Sequence, residues 1–235
     1  MPPNQQTEST EPLGKGVEVR CPDVSLDGDL SVPDGATGLV IFAHGSGSSR
    51  FSPRNRYVAR QLQEGGLGTL LFDLLTEDEE EVDVRTREYR FNIELLTRRL
   101  VGAVDWASDF EATSNLIYGY FGSSTGAAAA LKAAARRPDA TGAVVSRGGR
   151  VDLAEEDLER VEAPSLFIVG GEDHTVLDLN RGALAWMSCE TELEIVPGAG
   201  HLFEGEGELE QVAGLARDWF VRHLAGRRGS AESVP

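Results

Sequence analysis

Short apolar runs alternate with longer helical patterns along most of this chain. The runs GLVIFA, GTLLFD, NLIYGYFG and SLFIVG are almost continuously apolar, as expected of strands covered on both faces. Between them lie stretches with apolar residues at helical spacing, such as residues 87–110. This alternation predicts an α/β fold with a mostly parallel sheet of about eight strands and helices on both faces.

The predicted connections are short. VEVRCP and LDGDLSVP predict two weak strands near a sheet edge, with Asp27-Gly28 as the turn between them. A helix is expected from Ser52 to Glu64, and a later helix ends at Pro138. Only residues 147–163 separate the runs ATGAVVS and APSLFIV, which leaves room for one helix and two turns. We therefore expect no lid domain, and an open site suited to small soluble substrates.

Length and charge limit the classes of function. The 235 residues suffice for one α/β domain, placed at 15–226 between flexible tails at 1–14 and 227–235. The net charge of −17 argues against nucleic acid or an anionic membrane as a partner, because both would repel the protein. No signal-peptide core is visible, so a cytoplasmic location is expected. Cys21 and Cys189 lack metal-site spacing and are expected to be free thiols.

One serine lies in a motif typical of nucleophiles. GSSTG, residues 122–126, fits G-x-S-x-G with Ser124 at its centre, between a predicted strand and a predicted helix. Ser123 does not fit, because Phe121 occupies its first glycine position. The glycines permit a strained turn, and the helix that starts at Thr125 directs amide hydrogens toward an anion beside Ser124.

A serine nucleophile needs a general base and an acid that orients the base. The chain order expected on such a sheet is serine, acid, histidine. Asp173 follows the run SLFIVG, and His201 follows the run TELEIV, so both lie at carboxyl ends of predicted strands. We therefore predict a triad of Ser124, Asp173 and His201, with Glu172 and Asp178 as the competing acids.

The loop HGSGSS, residues 44–49, should supply half of an oxyanion hole. Its small residues let backbone amides turn toward the substrate. The N–H of Thr125 is the expected first donor, and that of Ser46 the second, with Gly47 as the alternative. His44 is expected to hold the loop by hydrogen bonds rather than to act as a base.

Two groups of charged residues follow other strand ends. Arg147 and Arg150 could clamp a substrate carboxylate or phosphate, or could pair with acids of the surrounding surface. The stretch TEDEEEVD, residues 76–83, is expected to form a solvated loop, because consecutive carboxylates point in different directions. We expect no catalytic metal and no cofactor.

The motifs HGSGSS, GSSTG, GGEDHTV and GAGHLF occur in the order of the α/β-hydrolase fold, and the chain resembles its dienelactone hydrolase-like branch. More narrowly, LLFDLLTEDEEEVD, VVSRGGRVDLA and VPGAGHLFE resemble the hydrolase domain fused to, or encoded beside, phosphoribosyltransferases. The resemblance covers about residues 15–225 and implies an association with a phosphoribosyltransferase. Dienelactone hydrolases proper use a cysteine nucleophile, so serine at position 124 favours an ester or another acyl substrate over dienelactone itself.

The sequence thus predicts a serine hydrolase that cleaves small soluble esters or lactones, anionic ones among them, through an acyl-enzyme. One alternative is a catalytically silent or acyl-transferring partner of a phosphoribosyltransferase. A nucleotide-binding module is another, although HGSGSS lacks the third glycine of G-x-G-x-x-G and no G-x-x-x-x-G-K-[ST] pattern occurs.

Overall fold

A computed structural model describes residues 13–225, so all but two residues of the expected tails lie outside the described part. Eight strands form one sheet in the order β1-β2-β4-β3-β5-β6-β7-β8. The pairs β1–β2 and β2–β4 are antiparallel, and the other pairs are parallel. The strands are β1 (Lys15–Arg20), β2 (Ser25–Ser31), β3 (Gly38–Ala43), β4 (Gly68–Phe72), β5 (Ile117–Ser123), β6 (Thr141–Arg147), β7 (Ser165–Gly170) and β8 (Thr191–Val196).

Helices cover both faces of this sheet, which confirms the predicted fold class. They are α1 (Pro53–Glu64), α2 (Glu77–Thr86), α3 (Ile93–Asp109), α4 (Thr125–Arg136), α5 (His174–Leu184) and α6 (Glu208–Leu224). A 3₁₀ segment, Val151–Arg160, fills the connection between β6 and β7 and packs against α4. Within residues 13–225, no helix has the length and apolar character needed to cross a bilayer.

Strand β3 shows why the central runs are continuously apolar. Leu39 and Ile41 join the core on the face covered by α3 and α4, whereas Val40 and Phe42 join the core under α1 and α6. All four side chains are at most 2% exposed. Because each such burial contributes about 1.5–3 kcal/mol, a polar residue anywhere in this strand would be destabilising.

The expected turn at Asp27-Gly28 is wrong. Both residues lie inside β2, and the turn comes earlier, closed by the Cys21 N–H donating to the Val24 carbonyl over 2.8 Å. β2 is paired on both sides, and Gly28 lies directly opposite Phe72 of β4, where an added Cβ would be 3.1 Å from that of Phe72. The glycine serves a close approach between strands instead of a turn.

The acidic stretch is also not the loop expected from its charge, because residues 77–86 form α2. Thr76 caps this helix in a reciprocal capping box: its hydroxyl accepts from the Glu79 N–H, and the Glu79 carboxylate accepts from the Thr76 N–H. Acids in the first turn also interact favourably with the positive end of the helix dipole. The T-x-x-E spacing was the signal in the sequence that predicts this helix.

Candidate active site

Ser124 occupies a sharp turn between β5 and α4. Its backbone has φ 51° and ψ −120°, a region that residues other than glycine rarely adopt. The flanking glycines make the turn feasible: a Cβ on Gly126 would collide with the carbonyl oxygen of Ala43, and one on Gly122 would collide with the backbone of Ala127. The strain expected of a nucleophile turn is therefore present at this serine.

Hydrogen bonds from the end of β6 hold this turn. The Ser124 N–H donates to the Arg147 carbonyl over 3.2 Å, and the Ser124 carbonyl accepts from the Arg150 N–H at 3.0 Å. The Ala127 N–H donates to the same carbonyl at 3.1 Å as α4 begins. The strained backbone is thus fixed by the strand beside it as well as by the helix that follows.

The two adjacent serines have different environments. Ser123 is 2% exposed, and its hydroxyl donates to Oδ1 of Asn55 on α1 at 3.0 Å. Ser124 is half-buried and lines a large cleft at the carboxyl ends of the strands. Ser123 also borders the cleft, but its hydroxyl is buried and engaged by Asn55, so Ser124 is the better placed of the two to meet a substrate.

His201 follows β8 and also lines this cleft. Its Nδ1 lies 2.6 Å from Oδ2 of Asp173, which precedes α5; the Asp173 side chain is 13% exposed and the imidazole 40%. With Nδ1–H donating to the carboxylate, Nε2 keeps its lone pair and can accept a proton. The competing acids lie elsewhere: Glu172 is 3.8 Å from His174, and Asp178 pairs with an arginine of its own helix.

We call residues 44–49 the oxyanion loop, after the role that the sequence predicts for them. A turn at its centre is closed by the Ser48 N–H donating to the Gly45 carbonyl over 3.2 Å, and Gly47 has φ 69°. A Cβ on Gly45 would be 3.3 Å from that of Ser124, so the loop lies directly beside the serine. Ser46 and Gly47 are exposed and line the cleft.

The other expected donor, the Thr125 N–H, belongs to the first residue of α4. The Ser124 side chain makes no capping hydrogen bond to this helix start. The first amides of a helix have no partner within the helix, so the Thr125 N–H can donate to an anion beside Ser124.

His44 holds the first part of the oxyanion loop, as its position in the sequence suggests. Nδ1 donates to the Gly45 carbonyl at 3.0 Å, and Nε2 accepts from the Leu74 N–H at 3.1 Å. Burial lowers the pKa of His44, which keeps the ring neutral and suited to this pair of contacts. With both nitrogens engaged, this histidine does not act as a base.

Of the two arginines expected at the substrate, only Arg147 lines the cleft. Burial, with a smaller effect of the nearby Arg54, lowers the pKa of Arg147 to about 10. Its Nε and Nη1 have no hydrogen-bond partner in the described part of the chain. Arg150 does not line the cleft, so its expected role at the substrate is corrected. Its guanidinium instead makes two hydrogen bonds to Asp152, at 2.9 and 2.8 Å, because that carboxylate is only two residues away.

The cleft has a volume of about 1150 Å³ and reaches from Ser124 and His201 to α2. Glu77, Glu80 and Glu81 of α2 also line it; Glu80 and Glu81 lie about one turn after Glu77, on the same side of the helix. This acidic wall was not anticipated, because it required α2 to be recognised as a helix. Across residues 13–225, no three His, Cys, Asp or Glu side chains are grouped so as to hold a metal ion, and both cysteines are free thiols.

The model of the Dienelactone hydrolase family matches residues 26–220. The chain belongs to the dienelactone hydrolase family. A crystal structure of a dienelactone hydrolase from Anabaena variabilis is 56% identical, with a TM-score of 0.89, over 90% of this chain and 98% of that chain. Both findings confirm the resemblance drawn from the motifs.

More distant relatives share the fold of this family. Est1E from Butyrivibrio proteoclasticus matches 89% of this chain and 99% of its own, with a TM-score of 0.75 and 16% identity. An alpha-beta serine hydrolase homologue from Coxiella burnetii matches 87% and 96%, with a TM-score of 0.70 and 19% identity. At such identities the likeness shows the α/β-hydrolase fold alone.

Two curated relatives come from strains of Mycobacterium tuberculosis, and each is named "Putative phosphoribosyl transferase". Each relative is 54% identical to this chain over 210 residues, which are 89% of this chain and 46% of the relative. The chain therefore spans about half the length of the curated relatives it matches.

Proposed function

We propose that this dienelactone hydrolase family member is a serine hydrolase that cleaves small carboxylic esters or lactones through an acyl-enzyme. The observation that carries the proposal is the 2.6 Å contact between His201 Nδ1 and Asp173 Oδ2, in the same cleft as the strained Ser124. A neutral imidazole oriented by a carboxylate is the base that a serine hydroxyl requires.

In this mechanism, His201 Nε2 takes the proton from Ser124 Oγ as the oxygen attacks the substrate carbonyl. Asp173 holds the tautomer with hydrogen on Nδ1 and stabilises the imidazolium. The Thr125 N–H and an amide of the oxyanion loop, at Ser46 or Gly47, donate to the developing oxyanion. The bond to the leaving oxygen then breaks, and that oxygen takes the proton from His201. Water repeats these steps on the acyl-enzyme and releases the acid.

Arg147 supports a substrate with an anionic group near the reacting carbonyl. Its side chain is buried, lines the cleft and has two unpartnered nitrogens. A buried charge without a partner is costly, so a carboxylate that enters the cleft gains a charge-assisted hydrogen bond there. The acidic wall of α2 disfavours a second anionic group in that direction.

The decisive experiment compares wild type with Ser124→Ala on short nitrophenyl esters, together with labelling by a fluorophosphonate. We expect Ser124→Ala to keep its fold, to lose essentially all turnover and to escape labelling, because only an activated serine reacts with the probe. Wild-type turnover in Ser124→Ala would overturn the proposal. Retained turnover with a label on another residue would do the same.

Association with a phosphoribosyltransferase is a second candidate, favoured by the name and greater length of the Mycobacterium tuberculosis relatives. Its test is to express the unmatched part of one relative separately and to mix it with this chain in size-exclusion chromatography. Co-elution supports the association, and separate elution at high micromolar concentration rejects it. The cytoplasmic location expected from the sequence stays a prediction.

A further inference from the structure

Asp83, the last acid of the stretch 76–83, differs from the others because its side chain is 0% exposed. Its carboxylate accepts hydrogen bonds from the N–H of Tyr89 at 2.7 Å, from the N–H of Arg90 at 2.9 Å and from Nε of Arg90. Nη2 of Arg90 also donates to the Asp83 carbonyl at 3.2 Å. The end of α2 and the segment after it are thus tied together by one buried ion pair.

The donors around Asp83 compensate for the burial of its carboxylate. Burial by itself would raise the pKa of Asp83, but the hydrogen bonds from Arg90 and Tyr89 and the charge of Arg90 outweigh it and hold the pKa below its ordinary value. A buried carboxylate with so many donors is a rigid anchor, since breaking one contact leaves a charged group unsatisfied. These contacts therefore fix the orientation of the Arg90 guanidinium.

The fixed guanidinium reaches the oxyanion loop. Nη1 of Arg90 lies 2.8 Å from the point where a Cβ on Gly47 would be, so a side chain at position 47 would displace the guanidinium; the φ of 69° at this position also favours glycine. Arg90 also lines a small space beside the loop together with Gly45, Ser46, Gly47 and Ser48. The guanidinium thus packs against the same segment, Ser46 and Gly47, that also lines the cleft.

Other contacts hold the two ends of the loop. His44 links its start to the Leu74 N–H, and the residue just after it, Arg50, donates from its backbone N–H and its side chain to Asp73. The middle of the loop, at Ser46 and Gly47, lies against Arg90. A shift of this middle segment toward Arg90 meets the anchored guanidinium.

We infer that Asp83 and Arg90 are positioning residues that keep the amides of the oxyanion loop aimed at the reacting carbonyl. The inference rests on the proposed function, because those amides matter only if an oxyanion forms beside Ser124. An oxyanion donor stabilises the transition state more than the bound ester, so its misplacement lowers kcat more than it raises KM. Removing one such donor outright costs about 10²–10³ in kcat, and a loosened donor should cost about tenfold or more.

The test uses the full chain and a short nitrophenyl ester, with kcat and KM measured separately. We expect Asp83→Asn and Arg90→Gln each to lower kcat about tenfold or more with KM changed less than about twofold. The kcat of the double variant should be no lower than that of the less active single variant, because both substitutions remove the same support of the loop. The matched control is Glu79→Gln, which disturbs the capping box of α2 and the Glu79–Arg99 ion pair, and should lower Tm without lowering kcat.

Arg90→Lys decides the matter if Asp83→Asn does not fold. It keeps a cation for Asp83 but removes the planar group that lies against Gly47, so kcat should still fall. Wild-type kcat in Arg90→Lys or Arg90→Gln overturns the inference, and so does an equal loss of kcat in Glu79→Gln. Failure of the proposed function itself is recognised separately, by turnover that survives in Ser124→Ala.

Discussion

The Ser123 hydroxyl donates a hydrogen bond to Oδ1 of Asn55, 3.0 Å away and inside the protein. This bond joins the end of β5 to α1 directly beneath the turn that carries Ser124. The two neighbouring serines therefore differ in role: the Ser123 hydroxyl links β5 to α1, and Ser124 is the more exposed of the two in the cleft.

We expect Ser123→Ala to keep kcat within about twofold and to lower the free energy of unfolding by about 1–3 kcal/mol, because the buried amide oxygen of Asn55 loses its donor. Urea unfolding and ester turnover measure the two effects on one preparation. A stable but inactive Ser123→Ala would contradict the assignment of the nucleophile to Ser124.

Asp173→Asn should lower kcat by about 10⁴-fold, because an amide no longer holds the imidazole in the tautomer with its proton on Nδ1. Asp178→Asn is the control: its carboxylate pairs with Arg181 on an exposed helix face, 3.3 Å away, and its loss should leave kcat unchanged. Kinetics on one nitrophenyl ester compare the two variants. If Asp178→Asn were the inactive one, the acid of the triad would have been misassigned.

Arg147→Gln should raise KM for an anionic ester about tenfold or more while leaving a neutral ester of equal length nearly unaffected, because a charge-assisted hydrogen bond is lost only for the former. Arg150→Gln provides the comparison, since its guanidinium is held by Asp152 outside the cleft. The nitrophenyl monoesters of a diacid and a monoacid are suitable substrates. Equal effects of Arg147→Gln on both would exclude an anion subsite.

The buried Asp83 should make stability depend on acid. Its folded-state pKa lies below the ordinary value of 3.8, so its stabilising contribution is complete above that value and is lost as pH falls through the folded-state pKa. The difference in unfolding free energy between wild type and Asp83→Asn should therefore be constant near neutrality and shrink below about pH 4. Denaturant unfolding at a series of pH values measures it, and a difference that grows on acidification would refute this account.

Much of the fold could be predicted from local pattern, because runs such as GLVIFA are apolar only if both of their faces are buried. The turn predicted at Asp27-Gly28 was wrong because turn propensity is a local property, whereas the place of these residues in β2 is decided by the pairing with β1 and β4 on either side. The charge of residues 76–83 likewise concealed the capping box between Thr76 and Glu79.

The same distinction applies to the site. Ser124, Asp173 and His201 could be proposed from the sequence because each follows an apolar run, and the carboxyl ends of parallel strands meet at one edge of the sheet. Arg147 and Arg150 are three residues apart and alike in sequence, so only their surroundings separate the arginine in the cleft from the one bound to Asp152. The approach of Arg90 to Gly47 spans 43 positions and leaves no local signal.

The short connection after β6 has a kinetic consequence. Its 3₁₀ segment packs on α4 and α5, and none of its residues lines the cleft. An acyl group on Ser124 would then stand in contact with bulk solvent, where water far outnumbers any competing nucleophile. Partition of the intermediate should favour release of the free acid, and an added alcohol should divert it only at concentrations approaching those of a cosolvent.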